Sequence, residues 1–477
     1  MPKDLRSFIA EVAERRPDDL KTIEEEVDPQ FGITAVAAKL ERRGEFPAIF
    51  FQRVRGTDLP LVVNLTATYE RLALALGTTV ERMVDVYAEK QASPIPPVVV
   101  ESGPVKEVVL RGADADLSRL PIPTHNALDG GPYITSGSLV TRDSESNALN
   151  LGLYRHQILD HDKIGVWFML GHHGLYIQQR YEELNQPMPV AIIIGHHPAV
   201  VMGTISRIPG IGGEYAEAGA LLGEPVELVK CETSDLMVPA RAEIVIEGTI
   251  HPGAYRQEGP FAEWPGYYTE SGPKPYIRVN AITMRRDAIF YDVFAGHREH
   301  CVLGSLPRMG SIFRRVKQVV PGVKAVNVPA HVRMHCYISY TKRNEAEAKK
   351  AAFAALLTEP ENLKLVILVD DDINPFNEQE VMWAVGSRFR ADKGLTVIDN
   401  WSGPGGLNPA GWDYFEDGTK QPRMMPVMIM DATKPCAPNW FPPRAQVPED
   451  EIDAVDLERL LKPYSSRTPT REPAGAR

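Results

Sequence analysis

The sequence predicts a multidomain protein that is α/β at both ends and mainly β in the middle. Helix-like and strand-like segments alternate over the first hundred residues, and short apolar strands dominate from Val105 to about Ala295. The alternation of helices and strands returns after Leu306. A length of 477 residues fits two to four domains at roughly 100 to 200 residues each.

The N-terminal unit, residues 1–100, is predicted as an α/β segment. Apolar residues recur at helical spacing in four segments, at 5–15, 33–43, 68–76 and 80–90. Two short apolar runs predict strands at 48–54 and 59–65. A proline-rich stretch at 93–97 ends the unit.

The central unit, residues 101–305, is predicted as a β-rich domain with a barrel-like sheet. Its strands are bounded by Gly or Pro turns and are predicted at 105–110, 165–170, 190–194, 226–229, 243–250, 276–284 and 288–294.

The C-terminal unit, residues 306–450, is predicted as a second α/β layer, with helices at 312–319, 345–357 and 378–387 and strands at 331–340, 363–369 and 395–398. Residues 451–477 are predicted as a C-terminal helix and a mobile polar tail.

Charge and cysteine content exclude several classes of protein. With 52 Lys and Arg against 63 Asp and Glu, the net charge is −11, which argues against binding to nucleic acid or to a membrane surface. The cysteines are isolated, so neither a disulfide framework nor a zinc site is indicated: Cys231, Cys301, Cys336 and Cys436. We find neither a signal peptide nor an apolar run of about 18 residues, and we expect a cytoplasmic protein. Because the net charge is negative, an anionic substrate would need local cations to attract it to its binding site.

Paired carboxylates in the segment QEGPFAEWPGYY at 257–268 are the first candidate for chemistry. Glu258 and Glu263 lie on either side of a Gly-Pro turn, in a segment with four aromatic residues. In an apolar setting such carboxylates repel each other, so one tends to keep its proton and can act as an acid. The alternative interpretation of this local pattern is a surface turn with two solvated acids.

A second cluster combines the motif NLGLYR at 150–155 with GHHG at 171–174. The glycines beside the histidine pair leave room for the phosphate of a ligand to approach the backbone. The alternative is a pair of hydrogen-bonded histidines at the end of a strand, since GHHP at 195–198 contains an equally conspicuous pair. Glu214 is predicted at the start of a helix, where the helix dipole favours an acid.

Taken in order, these motifs resemble those of the UbiD family of decarboxylases, which use prenylated FMN. The match covers most of the chain and runs through DLRSFI, NLGLYRHQIL, GHHG, EAGALLGEPVELVKCETSDLMVPARAEIVIEG, EGPFAEWPGYY, HREHCVLGSLPRMGSI and LVDDDINPFNEQEVMWA. Each motif alone is modest, but the ordered set is very specific. The resemblance implies a split-barrel-like flavin-binding central domain and a C-terminal oligomerisation domain.

The resemblance also implies roles for individual residues. Asn150, His173 and Glu214 match the residues that bind a divalent metal, usually Mn²⁺, which bridges to the cofactor phosphate. The prenylated-FMN contacts of the family match Asn150, Leu151, Gly152, Leu153, Tyr154, Arg155, His172, His173 and Glu214. The loop at 203–206 is similar to the potassium and phosphate region of the family. The Arg-Glu-Glu network of the family matches Arg155, Glu258 and Glu263.

One position departs from the family pattern. A lysine that the family often places four residues before the Asp of a C-terminal strand is Val427 here, and Lys420 or Arg423 are candidates to replace it. Trp264, directly after Glu263, is expected to form a pocket wall that stacks on a planar substrate.

The activity that the resemblance implies is the reversible, non-oxidative decarboxylation of an aromatic, heteroaromatic or α,β-unsaturated acid through a prenylated-FMN adduct. Glu263 would deliver the proton, Arg155 would orient the substrate, and Glu258 would share charge with Arg155. Two other interpretations are an FMN-dependent oxidoreductase on a related β-rich flavin-binding fold and a binding or assembly protein without activity. A flavin prenyltransferase that supplies the cofactor and a homodimer or larger homo-oligomer are also implied. The particular acid and the physiological direction stay open.

Overall fold

The computed structural model describes residues 3–461 except 170, 207, 209, 332, 403–406 and 417–418. Residues Met1–Thr433 form one compact unit and residues Lys434–Arg477 form a second. The last residue of the strand predicted at 165–170 and the tail from residue 462 onward lie outside the described residues.

The N-terminal region alternates helices and strands, as predicted. Its elements are α1 (Leu5–Arg15), β1 (Leu20–Val27), α2 (Gly32–Glu41), β2 (Ala48–Val54), β3 (Leu61–Val63), α3 (Tyr69–Leu76), α4 (Met83–Gln91) and β4 (Val98–Val99). Helix α1 begins at Leu5 because the Asp4 and Ser7 side chains each accept a hydrogen bond from the backbone N–H of the other residue. Strand β1 was not predicted, since its charged residues hide the strand pattern.

The central region contains most of the strands and three helices, of which the sequence pattern indicated only the one that begins at Glu214. Its elements are β5 (Val108–Arg111), β6 (Tyr133–Ile134), β7 (Ser138–Arg142), β8 (Leu149–Leu153), β9 (His156–Asp160), β10 (Lys163–Val166), α5 (His173–Glu183), β11 (Met188–Ile194), α6 (Pro198–Thr204), α7 (Glu214–Leu222), β12 (Glu227–Lys230), β13 (Met237–Pro239), β14 (Ile244–Glu258), β15 (Phe261–Ala262), β16 (Tyr268–Thr269), β17 (Gly272–Met284) and β18 (Phe290–Tyr291). Glu214 is the first residue of α7, so its predicted place at a helix start is confirmed.

The main sheet of the central region has nine strands in the order β6-β9-β10-β17-β14-β11-β7-β8, with β5 paired to β17. The expectation of a split-barrel-like sheet is wrong for the described residues, because the outer strands β6 and β8 do not pair with each other. Helices α5, α6 and α7 contact β8. The region is therefore an open sheet with helices on it.

Smaller sheets join the N-terminal and central regions. Strand β18 completes a four-stranded sheet in the order β1-β2-β3-β18, and β4 pairs with β12 beside β13. The strand predicted at 288–294 therefore contributes to the N-terminal sheet, which periodicity alone does not reveal.

The C-terminal region is a second α/β layer, as predicted. Its elements are α8 (Arg298–Val319), β19 (Val323–Asn327), β20 (His335–Tyr340), α9 (Glu347–Thr358), β21 (Leu365–Asp370), α10 (Glu378–Arg388), α11 (Ala391–Gly394), β22 (Leu395–Ser402), β23 (Trp412–Tyr414), β24 (Lys420–Pro422) and β25 (Met425–Asp431). Five of these strands form a sheet in the order β19-β20-β21-β25-β22. The helix predicted to begin at 312 begins at Arg298 and continues through Pro307, because tertiary burial along its length outweighs the missing proline N–H. In the second compact unit, the described residues form α12 (Glu449–Asp453) and α13 (Leu457–Leu460).

The long hairpin of β14 and β17 positions the candidate site. The two strands pair from Ile244 opposite Met284 to Glu258 opposite Gly272. The end of β14 lies against β10, and a Cβ atom on Gly165 would lie 3.2 Å from Cγ of Glu258. The absence of a side chain at residue 165 thus lets Glu258 pack onto this face of the sheet.

Candidate functional site

A buried ion-pair network joins three residues that the sequence predicted as catalytic. Arg155, between β8 and β9, donates from Nε and Nη2 to the two carboxylate oxygens of Glu258 at 2.9 and 2.7 Å. Its Nη1 donates to Oε1 of Glu263 at 2.8 Å. All three residues are buried. The fold therefore brings the guanidinium of Arg155 next to two carboxylates that lie about a hundred residues further along the sequence.

The two carboxylates are held unequally. Glu258 accepts two hydrogen bonds from Arg155 and a third from the Tyr133 hydroxyl at 3.1 Å. Glu263 accepts one from Arg155. Burial raises the pKa of Glu263, the nearby charge of Glu258 raises it further, and Arg155 opposes the rise. Arg155 and Tyr133 thus hold Glu258 through three hydrogen bonds, whereas the raised pKa of Glu263 favours its protonated form.

Sequence reasoning missed several contacts of Arg155. Its Nη1 also donates to the Thr269 hydroxyl at 2.7 Å, and its guanidinium carbon lies 4.2 Å from the ring centre of Trp167 and 5.1 Å from that of Phe261. Trp167 and Tyr133 lie in strand-rich segments without any motif. Thr269 and Phe261 are next to or within the EGPFAEWPGYY segment, whose aromatic content was the available signal.

Replacing Tyr133 by phenylalanine should slow turnover about 10-fold, in line with the loss of a hydrogen bond to a charged group. Without the hydroxyl donor, Glu258 loses one of the hydrogen bonds that hold it beside Arg155, so the network is positioned less firmly. The measurement is turnover of cofactor-loaded protein. Tyr291→Phe is the matched control, because it removes a buried hydroxyl 3.2 Å from another glutamate, Glu299; an equal loss of turnover in both variants would contradict this role.

The residues predicted as metal ligands are only partly brought together. Asn150 on β8 donates from Nδ2 to Oε1 of Glu214 at 2.9 Å. His173 is the first residue of α5, which contacts β8, but no hydrogen bond among the described residues joins it to Asn150 or Glu214. An asparagine can present its amide oxygen after a flip of the side chain.

Glu214 has the features of a cation ligand. The side chain is buried, its Oε2 has no hydrogen-bond partner among the described residues, and burial raises its pKa to about 7. A buried, unpartnered carboxylate oxygen is costly unless a proton or a cation neutralises it. The oxygen and imidazole donors of this set suit a hard divalent cation, so the residues fit the predicted site.

The other predicted cofactor positions surround this strand. Leu151, Gly152 and Leu153 continue β8, and His172 immediately precedes α5. Tyr154 is buried, and a Cβ atom on Gly174 would lie 2.3 Å from its hydroxyl oxygen. The room beside GHHG that was predicted for a phosphate is therefore occupied by a phenol at Gly174.

The loop at 203–206 is held in place by neighbouring elements. Gly203 and Thr204 end α6, and the Thr204 hydroxyl lies 3.0 Å from that of Ser138. The Ser206 hydroxyl donates to the Met202 carbonyl at 3.0 Å and forms a hydrogen bond with the Tyr87 hydroxyl. These contacts fix the start of the loop against α4 and β7.

The C-terminal candidates to replace the family lysine are occupied elsewhere. Val427 is buried in β25. Lys420 forms an ion pair with Glu270 at 2.9 Å, and Arg423 forms one with Asp413. Nothing in these contacts supports a role for either cation at the cofactor. Trp264 is partly buried, with the guanidinium of Arg333 4.7 Å from its ring centre.

If His173 is a ligand of a divalent metal beside the cofactor, as the resemblance implies, replacing it by alanine is expected to lower the metal and flavin content of the protein together. Metal and flavin content of the purified protein measure this. His161→Ala is the control: His161 is exposed, and its ligand atom lies within 4.8 Å of those of Asp160 and Asp162, so it tests an incidental surface site. Metal and flavin at wild-type stoichiometry in His173→Ala would contradict the assignment.

Comparison with known proteins identifies the class of this chain. Three family models match it in order: the N-terminal domain of 3-octaprenyl-4-hydroxybenzoate carboxy-lyase at residues 13–91, its Rift-related domain at 98–298 and its C-terminal domain at 301–410. The chain is therefore a carboxy-lyase, which means a decarboxylase. No described helix has the length and apolar character of a membrane span.

Three relatives make the assignment specific. A phenolic acid decarboxylase of Sedimentibacter hydroxybenzoicus is 34% identical over 96% of this chain and 97% of its own length. The UbiD-class enzyme HmfF of Pelotomaculum thermopropionicum has been solved with FMN (36% identity, TM-score 0.87, 96% of this chain and 100% of that one) and, in an evolved dimeric form, with prFMN (34%, TM-score 0.85, 96% and 100%). The 3,4-dihydroxybenzoic acid decarboxylase AroY of Klebsiella pneumoniae is 28% identical, with a TM-score of 0.85 over 94% of this chain and 99% of that one. The chain belongs to the UbiD family.

Proposed function

We propose that this protein catalyses the reversible, non-oxidative decarboxylation of an aromatic, heteroaromatic or α,β-unsaturated carboxylic acid, with Glu263 as the proton donor. The observation that supports this most directly is a buried carboxyl group, with a raised pKa, at 2.8 Å from the guanidinium of Arg155. The relatives are decarboxylases of phenolic and aromatic acids, which supports the substrate class.

We further propose prenylated FMN as the cofactor, with Mn²⁺ or another divalent cation and with K⁺. When bound, the prenylated flavin would supply the electron sink that side chains lack. Asn150, Glu214 and His173 would hold the divalent cation at the cofactor phosphate, and the fit rests on the unpartnered Oε2 of Glu214. The structures of HmfF with FMN and prFMN support the flavin.

The residues of the chain control the proton. Glu263 holds it at a buried oxygen, from which it can pass to the carbon atom that has lost CO₂. Arg155 keeps Glu263 in position through Nη1, and Glu258 balances the charge of Arg155. Because all three side chains are buried, bulk water does not compete for the same position.

The test of this function is a screen of carboxylic acids for CO₂ release by protein that is co-expressed with a flavin prenyltransferase. The first acid is 3,4-dihydroxybenzoic acid, the substrate in the name of a relative. We expect CO₂ release and deuterium from heavy water at the carbon that lost it. NADH oxidation by protein with unmodified FMN, without CO₂ from any acid, would favour an FMN-dependent oxidoreductase instead.

Assembly and domain boundaries are further proposals. We propose domains at 1–100, 101–305, 306–450 and 451–477, and a homodimer or larger assembly built through the C-terminal α/β layer. The outer strand β22 presents Leu395 and Val397 to solvent, 40% and 55% exposed, which supports an interface there. Light scattering of the purified protein tests the assembly, and a monomer would contradict it.

A further inference from the structure

Two cations extend from the Arg155 network across neighbouring strands of the main sheet. Arg256 on β14 lies directly opposite Lys274 on β17, so their side chains share one face. Lys274 Nζ lies 5.1 Å from the ring centre of Trp167, and Arg155 lies 4.2 Å from the same ring. The guanidinium of Arg256 lies 5.4 Å from the ring centre of Tyr276. Trp167 therefore contacts both the buried cation and the first of the two outer cations.

No carboxylate neutralises these outer cations within the described residues, whereas other cations on the same sheet form ion pairs. Like charges on directly opposite positions destabilise a sheet. Lys163 faces Arg278 in the same way, but Lys163 forms an ion pair with Asp160 at 2.7 Å. Within the part of the chain that the structure describes, neither Arg256 nor Lys274 forms an ion pair with a carboxylate; each packs on an aromatic ring.

The Arg155 network cannot by itself attract a carboxylate. Arg155 directs its hydrogen bonds to Glu258, Glu263 and Thr269, and its ion pair with Glu258 offsets its charge. The chain as a whole has a net charge of −11, which repels an anion. A carboxylate substrate therefore needs a positive potential beside the network, and Lys274 and Arg256 provide two charges on this face of the sheet.

We propose that Lys274 and Arg256 form a capture site that attracts the carboxylate of the substrate toward the Arg155 network. Exposure decreases along the proposed path: Arg256 is exposed, Lys274 is partly buried and Arg155 is buried. Trp167 and Tyr276 hold the two cations in place through their ring faces. The inference rests on the proposed decarboxylation of a carboxylic acid and adds the route by which the substrate anion approaches the Arg155 network.

Binding of 3,4-dihydroxybenzoate to the full-length, cofactor-loaded protein tests the capture site, with neutral catechol as the matched ligand that lacks the carboxylate. Calorimetry at about 0.05 M and about 0.5 M salt should show that salt weakens binding of the acid and not of catechol. Lys274→Met and Arg256→Met should each bind the acid about 5-fold more weakly at low salt and equally well at high salt. Lys274→Arg should restore binding, and Lys324→Met, at an exposed lysine on β19, should change nothing.

Several results would overturn the capture site. Equal weakening of acid and catechol in Lys274→Met would show that the lysine acts through packing on Trp167. Unchanged acid binding in both methionine variants, or a wild type that does not bind the acid, would also exclude it. Failure of the proposed function is distinguishable: no CO₂ from any acid, together with salt-dependent acid binding that the variants lose, would overturn the activity and leave the anion site standing.

Discussion

Replacing Glu263 by glutamine is expected to lower turnover by about 100-fold or more, the usual size for the loss of a general acid, while cofactor and metal remain bound. Glutamine keeps the shape and the hydrogen-bonding capacity of the side chain but has no carboxylic proton to donate. Glu263 is suited to donate a proton because burial raises its pKa and because Arg155, 2.8 Å away, holds the carboxyl group in place. Turnover of cofactor-replete protein is the measurement.

The pH dependence of turnover gives a second readout of the same variant. A general acid must be protonated, so turnover should fall as the pH rises through the raised pKa of Glu263. Glu263→Gln should lack this basic limb.

Two other glutamates serve as comparisons. Glu258→Gln should also impair turnover, because it disturbs Arg155. Glu299→Gln is the control for the loss of a buried carboxyl group: burial raises the pKa of Glu299 to about 7, and its oxygens accept hydrogen bonds from the backbone of Asn64 and Thr66. Near-normal turnover in Glu263→Gln would remove this residue from the mechanism and indicate Glu258 or a bound water as the acid.

Replacing Arg155 by leucine is expected to abolish turnover and to destabilise the fold by about 3–5 kcal/mol at neutral pH, the usual cost of removing one partner of a buried ion pair. The cost arises because Glu258, fully buried, loses both hydrogen bonds from the guanidinium and faces Glu263 without a cation between them. The measurement is the thermal unfolding midpoint of the variant against that of the wild type.

The destabilisation in Arg155→Leu should depend on pH with a definite sign. Arg155 opposes the rise in the pKa of Glu263, so without the guanidinium this pKa lies still further above its unfolded value. Such a group costs stability above the unfolded pKa, and the cost is lost as acid protonates it in both states. The loss in midpoint should thus be larger at pH 8 than at pH 5. Arg155→Lys, which keeps the charge but not the paired geometry, should be intermediate. An equal loss at both pH values would indicate a packing defect instead.

Local pattern alone was enough for much of this protein. Helical spacing of apolar residues predicted α1, α3 and α4, and apolar runs predicted β11, β14 and β17 and parts of β5 and β10 in the central sheet, but not β6 to β9. The spacing of Glu258 and Glu263 around a Gly-Pro turn indicated a carboxylate pair, and the motif NLGLYR pointed to Arg155. These features depend on neighbours within a few residues, so the sequence shows them directly.

The remaining features depend on which distant strands pair and in which register. Tyr133 reaches Glu258 because β6 and the end of β14 converge, and Lys274 faces Arg256 because of one register of the β14–β17 ladder. A shift of that register by one residue would turn Lys274 to the opposite face. Likewise, the sheet is open because β6 and β8 do not pair with each other, and α8 continues through Pro307 because its residues are buried in the tertiary structure. Periodicity contains no information on such contacts, because the free energy that selects them comes from side chains far away in the chain.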